Sequence, residues 1–156
     1  MHRIHLNIGS NQGDRMASIG RAVALIASRL HARLVRLSDY VVSEPWGFES
    51  DCAFLNRGVL VLSGSVGDDP IDVLDRLQAI ERLIAPDSPH RHPDGSYADR
   101  QLDIDIIDID GLIFSHPRLQ LPHPRAAVRP FVIGPLRQLD PHTADAIENG
   151  SRNSHY

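Results

Sequence analysis

The pentapeptide Leu102-Asp103-Ile104-Asp105-Ile106 is the sharpest chemical feature of the chain. Alternation of this kind reads as a strand in which every second side chain shares a face, so Asp103 and Asp105 project together while Ile104 and Ile106 turn to a core. Two carboxylates so placed make a hard oxygen site suited to Mg²⁺ bridging phosphate oxygens. Spacing alone leaves a strand with a solvated acidic face as an equally good reading. Asp108 and Asp110 break the alternation, falling on the opposite side or in the turn, and stand outside the metal pair.

Downstream, His123 lies between Pro122 and Pro124, followed by Arg125 and Arg129. Arginine forks match phosphate oxygens in a bidentate way, so this cluster could clamp a nucleotide's phosphate chain. Surface arginines around a turn-stiffening histidine are the blander reading, and taken alone the better one. Arg100, three residues before Asp103, adds positive charge near the carboxylates. Gly9-Ser10-Asn11 resembles a phosphate-cradling turn only weakly, because neither a GxGxxG nor a full P-loop pattern is present. Trp46 and Phe54 flank a Pro-Gly loop, and Asn56 is a polar residue inside an apolar run. Two aromatic faces and one amide could sandwich and read a flat heterocycle, although aromatics beside a strand more often belong to a core.

These residues need elements to hold them. Residues 3 to 8 alternate and stop at Gly-Ser-Asn, predicting a strand that runs into a turn. From Asp14, an N-cap by type, Ile19, Val23, Ile26 and Leu30 recur at helical spacing to about Ala32. Leu34 to Ser43 predicts a second strand and Phe54 to Leu62 a third, with a Pro- and Gly-containing loop between them. Asp69-Pro70 is an N-cap followed by proline at the first helical position. Val73, Leu77, Ile80 and Ile84 mark that helix's apolar face, and it ends near Pro86. A long polar, Pro-rich loop follows. Leu102 to Ile109 is the fourth strand, Asp110-Gly111 turns the chain, and Leu112 to Leu121 is expected to return along the sheet. The run from Arg125 reads as a short helix broken by its prolines. Residues 143–156 read as a polar, frayed tail beyond a unit of residues 1–142. The order β-α-β-β-α-β is that of a ferredoxin-like split βαβ, an α+β fold with helices on one face of an antiparallel sheet.

Composition narrows the chemistry. At 156 residues and 42% hydrophobic content the chain can close one core. All 16 of its basic residues are arginine, against 20 acidic ones, for a net charge of -4. With no lysine, P-loop and Schiff-base chemistry are excluded, and the acidic balance argues against broad nucleic-acid binding. A single cysteine, Cys52, excludes an internal disulfide and a cysteine-based zinc cluster. No stretch approaches the roughly 20 apolar residues of a membrane span and no apolar leader is evident, so a cytoplasmic protein is expected.

Six segments stand in the order found in a known family. They are LNIGSNQGDR from Leu6, SEPWGFES with FLN from Ser43 to Asn56, LQAIE from Leu77, DRQLDIDI from Asp99, LPHPR from Leu121 and RPFVIGPL from Arg129. Together, from about Ile4 to Pro141, they resemble the 6-hydroxymethyl-7,8-dihydropterin pyrophosphokinases of folate synthesis. The resemblance implies a ferredoxin-like fold and transfer of the terminal diphosphate of ATP to 6-hydroxymethyl-7,8-dihydropterin. It implies two Mg²⁺ ions on Asp103 and Asp105, with ATP as co-substrate; a monomer is expected, although nothing in the sequence marks the oligomeric state.

The same resemblance implies that Phe54 and Phe131 stack on the pterin and that Asn56 bonds its edge, helped by the backbone from Ser43 to Pro45. Gln78, Glu81, Ile106, Arg100, His123 and Arg129 would line the ATP site, with Tyr97 standing in the catalytic loop where many members carry tryptophan. Where members continue the second helix into a Gly-Arg-x-Arg loop, this chain has Ala85-Pro86-Asp87, and Arg91 is the candidate replacement for one of those arginines. A catalytically impaired nucleotide- or pterin-binding module of the same fold is the alternative this departure raises.

Overall fold

The computed structural model describes residues 1–44, 53–86 and 102–153, with side chains to residue 150. Within these residues the elements run β1 (His2–Ser10), α1 (Arg15–Arg29), β2 (Ala32–Leu37), β3 (Val41–Ser43), β4 (Phe54–Ser63), α2 (Pro70–Ile84), β5 (Asp103–Ile109), β6 (Phe114–His116), β7 (Leu119–Leu121), a turn of 3-10 helix at Ala126–Val128, α3 (Pro130–Leu139) and α4 (Pro141–Asn153).

Local chemistry starts both expected helices where the sequence places them. The Asp14 carboxylate accepts the Ala17 N–H, and that of Asp69 accepts the Ile71 N–H, each satisfying a donor the first helical turn would leave open. Pro70 occupies the first turn of α2, where a missing N–H costs nothing. The main sheet runs β2-β4-β1-β5, with β3 also on β4 and every pairing antiparallel, which is the ferredoxin-like order. Ile19, Ile26, Val73, Leu77 and Ile80 from α1 and α2 bury against Ile4, Leu6, Ile8, Ile104 and Ile106 on one sheet face.

Several expectations need correction. The other sheet face is not bare: α3 packs on β4 and β1, and Ile107, Val132, Leu136, Ala144 and Ile147 form a second cluster. Residues 143–153 are helical, because α4 begins at Pro141 and Ala144 and Ile147 bury one side of it. Leu112 to Leu121 does not return along the sheet but folds into a separate hairpin, β6 with β7. Leu34 to Ser43 is two strands, interrupted where the buried Ser38 hydroxyl accepts the Gly58 N–H in place of a ladder bond. The segment after Arg125 is a short 3-10 turn followed by a ten-residue helix that contains Pro135.

Candidate active site

The register puts the predicted chemistry in one row. Gly9 on the central strand pairs with Asn56 of β4 on one side and with Asp103 of β5 on the other. Neighbouring strands lie about 4.8 Å apart, so the amide and the carboxylate stand roughly 10 Å from each other across a strand with no side chain at that point. A Cβ at Gly9 would come within 3.0 Å of Asn56 Oδ1 and 3.5 Å of Phe54 Cδ1. Glycine is thus required by close approach, and Phe54 and Asn56 bend over it.

Asn56 is fixed as well as buried. Its Nδ2 donates to the Val41 carbonyl at 3.1 Å and to Ser43 Oγ at 2.8 Å. Both donor positions are thereby used, so the amide offers its oxygen, and Ser43 is an orienting partner. On the other side of the row Asp103 and Asp105 share a face and are partly exposed, while Ile104 and Ile106 bury opposite. The pair offers hard oxygen donors to solvent, as Mg²⁺ with one or two carboxylates plus substrate phosphates requires.

A strap covers the far end of this face. The His123 N–H donates to the Ile107 carbonyl at 2.8 Å, holding the Pro122-His123 segment on β5. The Leu121-Pro122 peptide is cis. His123 Nδ1 accepts the Arg125 N–H at 3.2 Å, which leaves the proton on Nε2. Burial, reinforced by the Arg129 and Arg125 charges and opposed by Asp103, pushes the His123 pKa down to about 4, so the ring is a neutral donor. At the start of α3 the Arg129 guanidinium sits 5.9 Å from the centre of the Phe131 ring. The groups predicted for phosphate and for pterin therefore meet.

On the helical side, Glu81 of α2 accepts the Ile104 N–H at 3.1 Å. β5 is an edge strand, so this carboxylate satisfies a donor that the ladder leaves outward and ties α2 to the acidic strand. The Ile106 side chain is buried, so only its backbone can face a ligand. Gln78 is joined by a residue sequence reasoning missed: Arg118, in the β6–β7 hairpin, donates to Gln78 Oε1 at 3.0 Å and Asp75 Oδ1 at 2.7 Å. Only the hairpin brings Arg118 there, and no motif marks it. Pro45, Arg91, Tyr97 and Arg100 lie outside the described residues.

Asp108 is where alternation misleads. The β1–β5 register shifts between His5 and Leu6, so Ile106 pairs with Leu6 but Asp108 pairs with His5. The extra residue, Ile107, joins the α3–α4 cluster, while Ile106 and Ile109 stay in the α1–α2 core. The bulge thus returns Asp108 to the face of Asp103 and Asp105. There it accepts the Gly111 N–H at 2.9 Å and lies 3.8 Å from His5 Nδ1, while His5 Nε2 bonds Asp140 at 3.1 Å. Burial raises the Asp108 pKa and lowers that of His5. A cleft of about 930 Å³, lined by Asp108, Asp140, Ile147 and His123 among others, opens at this end of the face. It is backed onto the His123 strap, and Asp103 and Asp105 do not line it.

Comparison with known proteins gives one answer. The family model described as 7,8-dihydro-6-hydroxymethylpterin-pyrophosphokinase matches residues 5–141. A 2-amino-4-hydroxy-6-hydroxymethyldihydropteridine pyrophosphokinase of Porphyromonas gingivalis is 39% identical over 140 residues, covering 88% of this chain and 90% of that one. The enzyme so named from Pseudomonas aeruginosa is 33% identical over 141 residues, covering 90% and 82%. A crystal structure of an HPPK-DHPS in complex with substrates aligns with a TM-score of 0.60 at 12% identity. It covers 88% of this chain, which spans 40% of that longer one, and it is a likeness of fold. Matched along nearly its whole length, the chain belongs to the 7,8-dihydro-6-hydroxymethylpterin-pyrophosphokinase family.

Proposed function

We propose that the chain moves the β,γ-diphosphate of ATP onto the hydroxymethyl oxygen of 6-hydroxymethyl-7,8-dihydropterin, releasing AMP, as a step of folate biosynthesis. Family membership supports a diphosphotransferase. The single observation that carries the site reading is the Asn56–Gly9–Asp103 row, which sets an amide reader and a carboxylate pair about one small heterocycle apart.

Pterin stacks between Phe54 and Phe131, its edge read by the Asn56 oxygen and its surroundings completed by Ser43 and Pro45. Phe54 and Asn56 supply the support for this pose, since both crowd the space above Gly9. Asp103 and Asp105 hold Mg²⁺, two ions in our reading, which when bound neutralises charge on the phosphate oxygens. The neutral His123 donates from Nε2, and Arg129 with Arg100 and Arg91 bears on the phosphates. Gln78, Glu81, Tyr97 and the backbone of Ile106 bound the rest of the nucleotide, with Arg118 at the rim beside Gln78.

The hydroxymethyl oxygen then attacks the β-phosphorus in line, the bond from that phosphorus to the oxygen bridging it to the α-phosphate breaks, AMP leaves with that oxygen, and the hydroxyl proton is released to solvent. Such transfers need positioning and charge neutralisation more than covalent help. No described helix is long and apolar enough to cross a membrane. We take the enzyme to work as a monomer in the cytoplasm.

AMP formation from ATP and the pterin alcohol, with Mg²⁺ and then with excess chelator, tests this reading. Release of AMP that needs both pterin and Mg²⁺ is the expected result. ATP binding without AMP release would replace it with a non-catalytic binding module.

A further inference from the structure

Two side-chain polar atoms of β1 on this face, His5 Nδ1 and Asn7 Oδ1, are buried without a hydrogen-bond partner among the described residues, and the second is an acceptor beside the carboxylate pair. Asn7 lies in β1 two residues before Gly9, is 5% exposed, and its Oδ1 is buried with no hydrogen-bond partner among the described residues. Leaving such an acceptor unmade costs about 1–3 kcal/mol, so it asks for a donor.

The neighbours on this face fail to provide one. Asn7 pairs with Gly58 on β4, which has no side chain, and a Cβ there would come within 2.9 Å of Leu139 Cδ1, 3.0 Å of Pro135 Cβ and 3.4 Å of Ser38 Oγ, whose one proton goes to the Asp39 carbonyl at 2.8 Å. Along the strand, Gly9 has no side chain, and His5 donates from Nε2 to the Asp140 carboxylate, which leaves Nδ1 of the neutral ring an acceptor with no proton to give. Across the other side stands Asp105, a carboxylate and so itself an acceptor. Directly opposed residues on one sheet face have Cβ atoms about 4.5–5.5 Å apart. An amide oxygen and a carboxylate at that distance call for something donating or cationic between them.

We infer that Asn7 is an outer ligand of the cation held by Asp103 and Asp105, its Oδ1 accepting a hydrogen bond from water in that cation's hydration shell. The inference rests on the metal role given to those aspartates above. Mg²⁺ sheds water reluctantly and usually keeps several molecules, so acceptors placed behind its ligands tune how tightly it is held. Asn7 is then a positioning residue.

The test measures cation binding directly. Mg²⁺ is titrated calorimetrically into the protein saturated with a non-hydrolysable ATP analogue, for wild type, Asn7→Leu, which keeps the volume and removes the acceptor, and Asn7→Asp, which keeps an acceptor. Thermal melts show that each variant folds, and Asn7→Ala, which also lacks an acceptor, replaces the leucine variant should that one not fold. Outer-shell partners typically contribute 10–100-fold to metal affinity, so the acceptor-free variant should bind Mg²⁺ about tenfold more weakly or worse. The aspartate variant should match wild type or exceed it, and pterin affinity should stay within about twofold. Equal Mg²⁺ affinity in wild type and the acceptor-free variant overturns the inference alone. Absence of Mg²⁺ binding by the wild type would instead strike the metal role of Asp103 and Asp105.

Discussion

Asp103, Asp105 and Asp108 share one face of one strand, yet their surroundings give them different work. The first two are partly exposed and are the proposed cation ligands, whereas Asp108 is buried against His5 and the Gly111 N–H. Asp103→Ala should leave the melting curve close to wild type and lower turnover by roughly a hundredfold or more, the scale seen when one charge-stabilising group is removed; an active variant would remove Asp103 from the metal site. Asp108 has its pKa raised by burial, so its contribution favours the fold below the unfolded carboxylate pKa and is lost as pH rises through the folded one. Asp108→Asn keeps an acceptor for Gly111 and sheds the buried charge. Melts from about pH 4 to about pH 7 should show the variant gaining on wild type as pH rises; a constant gap would contradict the assignment. The carboxylate pair was legible because strand alternation is strict over Leu102 to Ile106. The place of Asp108 was not, since a bulge depends on the partner strand and leaves no mark in one segment.

At the scale of elements, α3 decides where Phe131 stands, and α3 rests on Gly58. Pro135 and Leu139 sit where a Cβ on Gly58 would go, and Phe131 lies about one turn before Pro135 on the same helix. Gly58→Ala should lift α3 from β4, cost about 1–3 kcal/mol in denaturant unfolding, and raise the pterin KM while leaving that of ATP near wild type. Unchanged pterin KM would mean that the height of α3 does not set the pterin slot. The helices α1 and α2 could be read from caps and periodicity, as Asp14 and Asp69 show. α3 and α4 were obscured: Pro135 reads as a breaker, although its buried ring packs against β4, and the polar composition of α4 hides Ala144 and Ile147. Arg118 escaped notice for a related reason, because its partner Gln78 is 40 residues distant and is reached only through the β6–β7 hairpin.

For the whole molecule, α4 is part of the fold. Asp140 accepts from the Thr143 N–H and hydroxyl at the start of α4 and from His5 in β1, joining the helix to the central strand. Burial works against its charge, but these Thr143 and His5 contacts prevail and hold its pKa down to about 2. That stabilisation is present above the unfolded carboxylate pKa and is lost as pH falls toward 2. Removing residues 143–156 should cost about 2–4 kcal/mol through the lost burial of Ala144 and Ile147, a fall in melting temperature of roughly 5–15 °C; a truncated chain melting with wild type would show that α4 adds nothing. A pyrophosphokinase of this family transfers the diphosphate as a unit. ATP labelled separately at its β- and γ-phosphorus, incubated with Mg²⁺ and 6-hydroxymethyl-7,8-dihydropterin, tests it most directly. Both labels should move together onto the pterin and leave unlabelled AMP, whereas movement of the γ-label alone, with ADP as the second product, would contradict the account.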